Sequence, residues 1–182
     1  MSTGKIIGIV VFVVIVLFAL FLFQTIKTKS TSLNNFVPYK ELIGKTVVLN
    51  NDVILYKYKN SAEVFHSNYP YFLIDSKDPD WISIPNFVEI NEIETIFEIP
   101  KGASLKIEKA IQYTNGVSGT SSPFVFGTIT SDGIDYKVGY QWGEQSMSKN
   151  FEHIPESWYF YQAPWQTELD TSFYYLPKAK IW

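Results

Sequence analysis

Apolar residues fall along this chain in three patterns: an unbroken run at the start, short alternating runs through the middle, and an aromatic-dense, Pro-punctuated tail. The first pattern, Ile6–Phe23, is 18 residues with no charge and no hydrogen-bonding side chain. At about 1.5 Å per residue a helix of this length covers roughly 27 Å, close to the hydrocarbon thickness of a bilayer. Lipid offers the backbone no partners, so the segment is predicted helical despite its β-branched content. An apolar surface on every side does not suit a soluble amphipathic helix. Ala19–Phe23 and the residues after it supply no small-residue cleavage site, and without Cys there is no lipoprotein signal. The expectation is an uncleaved transmembrane signal anchor behind a five-residue N-terminal tail (1–5). The short leading tail favours an arrangement with the C-terminal part outside the inner membrane, although Lys5 before the span nearly balances Lys27 and Lys29 after it.

Residues 24–35 are polar, rich in Ser and Thr and without periodicity, and read as a tether. From residue 36 to 182 the pattern is that of an all-β domain. Lys45–Leu49 and Val53–Lys59 flank the Asn50-Asn-Asp52 cluster and predict a hairpin. Tyr71–Ile74 and Trp81–Ile84 read as short strands around an acidic loop, Asp75–Asp80. Pro85–Glu98 fits either a helical stripe or a strand. Leu105–Tyr113 alternates with Leu105, Ile107, Ile111 and Tyr113 on one face and Lys109 as the misfit. The clearest signal is Ile134, Tyr136, Val138, Tyr140 and Trp142 at strict period two after Asp132-Gly133, which predicts an antiparallel hairpin with Phe124–Thr130. Asn115–Ser122 reads as a flexible loop. The tail from Pro155 concentrates so many rings that it is expected to wrap the barrel or add an edge strand.

Composition narrows the function. All 15 basic residues are Lys, and the 18 acids leave the part beyond residue 30 at a formal charge of −6. An acidic surface without Arg forks does not suit nucleic acid. The absence of Cys removes disulfides and thiol chemistry.

Ile99-Pro-Lys-Gly-Ala-Ser-Leu-Lys-Ile107, the following loop and the Gly127–Gly143 hairpin resemble bacterial SH3-like domains over about residues 95–145. The resemblance rests on Pro100, Lys101, Gly102, Gly127, Asp132 and Gly133. It implies a small, strongly bent antiparallel barrel or sheet that binds peptides, proteins or cell-wall fragments and performs no chemistry.

Candidate chemistry is sparse. Glu63 and His66 have the i, i+3 spacing that sets a carboxylate beside an imidazole, and His153 lies near Glu152 and Glu156, but no metal-ligand spacing accompanies them. Asp75, Asp78 and Asp80 fail the Ca²⁺-loop pattern and read as a solvated turn. Ser118 and Ser121 lie in a loop that is neither a nucleophile elbow nor a P-loop. The residues best suited to contact a ligand are Trp158, Tyr159, Tyr161 and Trp165, flat rings able to stack on a sugar or clasp a peptide, with Ser118 and Ser121 beside them. The expected function is a membrane-anchored, non-catalytic binding module for an envelope protein, as an immunity protein binds its toxin, or for a cell-wall fragment, with no cofactor or metal. The alternatives are an envelope hydrolase using Glu63, His66 or His153, and a passive subunit of a membrane complex.

Overall fold

The structure, a computed structural model, describes residues 2–60, 66–146, 149, 152, 154 and 157–177. Helix α1, Thr3–Ile26, contains the whole apolar run and buries none of it against the rest of the chain. It is long and apolar enough to cross a membrane, a property that signal sequences share. Only Lys27 and Thr28 separate it from strand β1, Lys29–Ser32. The stretch read as a tether is therefore sheet in its middle. β1 pairs with the end of β6, and Leu33, just beyond, is fully buried. A polar Ser/Thr segment looks like linker when isolated, but an edge strand needs backbone partners more than apolar side chains.

The remaining strands are β2, Thr46–Val48; β3, Val53–Tyr58; β4, Tyr71–Asp75; β5, Ile93–Ile99; β6, Ser104–Thr114; β7, Ser121–Ser131; and β8, Ile134–Gln141. They form one open sheet in the order β1-β6-β7-β8-β4-β3-β5, with β2 on the far end of β6. All pairings are antiparallel except β4 with β8. The sheet does not close into the barrel that the sequence reading offered as one alternative.

The hairpin expected between β2 and β3 does not form. Both strands exist, but β2 pairs with β6 and β3 pairs with β4 and β5. The two corners interlock instead: Leu49 N–H donates to Ala103 O at 2.9 Å, Gly102 N–H to Leu49 O at 2.7 Å, and Lys101 N–H to Asp52 Oδ1 at 2.8 Å. Trp81–Ile84 is not a strand. Pro79–Ser83 is a 3-10 turn, started by Asp78 with Pro79 in the first position, and Ile84–Glu89 continues it as helix α2. That helix followed by β5 resolves the ambiguous stretch 85–98. The β7–β8 hairpin forms in the expected register, with Ser131 opposite Ile134. Asp132 and Gly133 both take positive φ, 51° and 75°, as a two-residue turn of the I′ kind requires. Ile134, next to the turn, is exposed; the other four of its alternating set are buried or half-buried.

Both faces of the sheet carry apolar side chains. On the inner face Val53, Leu55, Leu73, Ile99, Leu105, Ile107, Ile129 and Tyr140 make the main core. Each such side chain contributes about 1.5–3 kcal/mol when taken fully from water. The C-terminal tail covers this face. β9, Glu144–Gln145, pairs with β10, Trp158–Tyr159, while Trp158, Phe160, Ala163 and Leu176 are buried in the same core. Tyr39, from a 3-10 turn at Tyr39–Glu41, donates its hydroxyl to Trp142 O at 2.6 Å. The outer face carries Phe72, Ile74, Phe124 and Phe126, with Tyr69, Ile84 and Ile93 buried beside them.

Strand β6 changes face halfway. Leu105 lies opposite Ile129 and Ile107 opposite Gly127, but Lys109 lies opposite Phe126, so Glu108 is an extra residue, a β-bulge. Before the bulge Leu105 and Ile107 point to the inner core; after it Ala110 and Gln112 do. Ile111 and Tyr113 pack with the outer rings instead of sharing a face with Leu105 and Ile107. Lys109, the misfit of the sequence pattern, marks the position where period two breaks. Gly127 fits here because a Cβ at this position would lie 2.3 Å from Lys106 O.

Candidate functional site

The outer face of the sheet carries two polar features in line along β7: one above Thr128 and one beside Phe124, with Phe126 between them. The first is built by the bulge. Glu108, pushed outward as the extra residue, accepts hydrogen bonds from Tyr69 Oη at 2.6 Å, Thr128 Oγ1 at 2.7 Å and Lys137 Nζ at 2.6 Å. Burial by itself would raise the Glu108 carboxyl; the bonds from Lys137, Tyr69 and Thr128 together outweigh it and hold it at about 2. Burial and the same carboxylate raise Tyr69 above the usual phenol range.

Lys109, the next residue, places Nζ 4.7 Å from the centre of the Tyr69 ring and 3.0 Å from His66 Nε2. Burial first, then the Lys109 charge, push the His66 imidazole below its usual value, so at neutral pH the ring is uncharged. His66 also packs edge-on to Tyr69, 5.0 Å between ring centres. Glu108 accepts from three donors and pairs with Lys137, while Lys109 rests against His66 and the Tyr69 ring. The arrangement is a clamp across the bulge.

The second feature is a cavity of about 70 Å³ between β3, β4, α2 and the end of β8. Its walls are rings: Tyr56, Tyr58 and Phe72 meet with centres 5.2–5.7 Å apart, and Phe87 and Phe124 add to the lining. Its polar groups are Asp78, Asp80 and Gln141. Asp78 is placed there by its capping role, accepting from Asp80 N–H at 2.9 Å. Burial, reinforced by the charges of Asp80 and Asp75, pushes Asp78 up to about 6, against the pull of that hydrogen bond.

Behind it Asp75 is fully buried, held by Asn51 Nδ2 at 3.0 Å and Lys77 N–H at 3.1 Å. Its carboxyl too is raised, by burial, against those bonds. The acidic loop read as a solvated turn is thus half interior. Its sequence signal was Asp78-Pro79, an N-cap followed by Pro at the first helical position, which turns the chain back over the sheet.

A desolvated carboxylate among aromatic faces is a place for a cation. The space holds a few waters or the tip of one side chain. It is far below the roughly 300–1,000 Å³ of small-molecule pockets.

The residues singled out from sequence do not assemble into one surface. Trp158 is buried, and Tyr161 and Trp165 are mostly so, packed against Tyr140 and Trp142; Tyr161 also donates its hydroxyl to Gln141 O. Of the four, Tyr159 is displayed. The rings cover an inner face that would otherwise stand in water, and that need outweighs display. Ser121 is buried in β7 and shares a hydrogen bond with Thr114 Oγ1 at 2.8 Å. Ser118 is exposed and accepts from Thr120 N–H.

Glu63, His153 and Glu156 lie outside the described residues. His66 meets Lys109 among the described residues, and no group of three His, Cys, Asp or Glu among them stands close enough to hold a metal. Compared with known protein families, with curated proteins and with solved structures, the chain has no match.

Proposed function

We propose that the protein is a single-pass membrane protein whose β domain, on the extracytoplasmic side, binds a protein partner and does no chemistry. The observation that carries this is the Tyr56–Tyr58–Asp78–Asp80 cavity, whose rings and carboxylates suit a lysine or arginine tip. α1 supports the anchor, being apolar from Ile6 to Phe23 and unburied. The acidic balance of the domain supports a basic partner. The small cavity favours an inserted side chain over a cell-wall sugar. Pairing with a cation would give the desolvated Asp78 carboxylate a counter-charge beside the hydrogen bonds it already accepts.

The test compares variants. Full-length wild type, Asp78→Asn and Tyr58→Ala are cross-linked in intact membranes and captured. A partner held by wild type and lost by both variants, with both variants still unfolding cooperatively, supports the proposal. A partner retained equally by all three, or none above background under any growth condition, overturns it. Orientation is checked by alkaline phosphatase fused after Trp182; an inactive fusion beside a bright fluorescent-protein fusion reverses the topology.

A further inference from the structure

The β6–β7 loop, read as flexible from its Gly/Ser composition, carries its own set of internal hydrogen bonds. Asn115 organises it: its Oδ1 accepts from Val117 N–H at 2.8 Å and Ser118 N–H at 3.0 Å. Gly119 N–H donates to Asn115 O, Asn115 N–H to Thr120 O, and Thr120 N–H to Ser118 Oγ. The backbone donors of residues 117–120 are thereby satisfied within the loop. Satisfied donors lower the cost of moving the tip from water into the polar interfacial layer, where its carbonyls can still meet water. At the tip Val117 is the residue left out, 75% exposed.

The loop's position is fixed by α1. Lys29 lies opposite Thr114 in the β1–β6 pairing, so the chain passes from helix to sheet beside the loop. Gly116 packs so closely on the last helical turn that a Cβ there would lie 2.4 Å from Thr25 O and 2.5 Å from Ile26 O. Gly116 therefore stands level with Thr25 and Ile26, between the end of the apolar run at Phe23 and Lys27, and Val117 follows it.

We infer that the tip of this loop, led by Val117, is a second membrane contact that rests in the bilayer interface beside the end of α1. The inference rests on α1 spanning the membrane, and the lipid surface is its one occupant because the loop is continuous with the end of that span. Two contacts instead of one hold the sheet at a fixed angle to the bilayer. They also fix the height of the Tyr56–Asp78 cavity above it.

The absence of Cys in the chain makes the test direct. Single-cysteine variants Val117→Cys, Phe18→Cys and Lys101→Cys of the full-length protein are labelled with a polarity-sensitive fluorophore and reconstituted in phosphatidylcholine–phosphatidylglycerol vesicles. Lys101 lies at the opposite end of β6 and serves as the aqueous reference. The 117 label is expected to shift to the blue relative to 101, to be quenched by headgroup-level nitroxide lipids, and to be shielded from iodide. A 117 label that behaves like 101 while 18 is quenched from the acyl chains overturns the inference and leaves the anchor standing. An 18 label open to iodide overturns both.

Discussion

Glu108→Gln separates the electrostatic contribution of the bulge clamp from its shape. With its amide oxygen at the Oε1 position Gln can still accept from Thr128 and Lys137, and its NH2 at the Oε2 position can donate to the Tyr69 hydroxyl, so shape is largely kept and the charge is lost. In the folded protein the Glu108 carboxyl stands at about 2, against an ordinary value of 4.5. At about 1.36 kcal/mol per pKa unit the gap corresponds to roughly 3 kcal/mol. The strongest single donor, Lys137, is 47% exposed, and water screens part of its attraction. A stabilisation of about 1–2 kcal/mol is the expected remainder.

The folded value lies below the unfolded one, so the stabilisation is complete above pH 4.5 and fades as pH falls toward 2. Urea unfolding of full-length protein in detergent, followed by tryptophan fluorescence, provides the measurement. Wild type should exceed the variant by about 1–2 kcal/mol at pH 7, and the difference should close progressively between pH 4.5 and 2. A difference that stays constant across that range would assign the effect to packing. No difference at pH 7 would refute the clamp.

Two further substitutions probe the features that place the site. Gly127→Ala sets a Cβ against Lys106 O, a backbone atom that cannot move without undoing the bulge. A loss of about 3 kcal/mol or more is expected by thermal or urea unfolding, and a loss under ~0.5 kcal/mol would show that the bulge is soft. Asp78→Asn keeps a capping side chain and removes a carboxylate whose folded value, about 6, lies above the ordinary 3.8. Between those values the folded state holds the proton more tightly, so wild-type stability falls as pH rises through this window. The variant should therefore gain on wild type from pH 4 to pH 6 and match or exceed it at pH 7, while losing the partner. Equal pH profiles would remove Asp78 from the cavity's electrostatics.

Local rules were enough where one stretch decides its own state. Ile6–Phe23 is helical and unburied because no polar atom in it competes. The β7–β8 hairpin closes in register because Asp132-Gly133 supplies the two positive φ angles and the residues after it alternate without interruption. Long-range pairing was not legible. β2 and β3 flank a turn cluster that looks like a hairpin, yet β2 pairs with β6 and β3 with β4 and β5, across interlocked corners. The aromatic tail could be recognised as needing burial, but which rings would be covered depends on an inner face assembled from strands far apart in the chain.

By itself the sequence determined an apolar helical segment leading into an Arg-free, acidic, strand-built domain, because hydrophobic periodicity and charge are properties of neighbours along the chain. The tertiary structure decided that the Ser/Thr stretch after the helix is an edge strand, that Glu108 is extruded from β6, and that Asp78 faces Tyr56 and Tyr58 across a small cavity. Those outcomes follow from which backbones pair and which carboxylates lose their water. Both are set by contacts between segments whose separation along the chain carries no local signal.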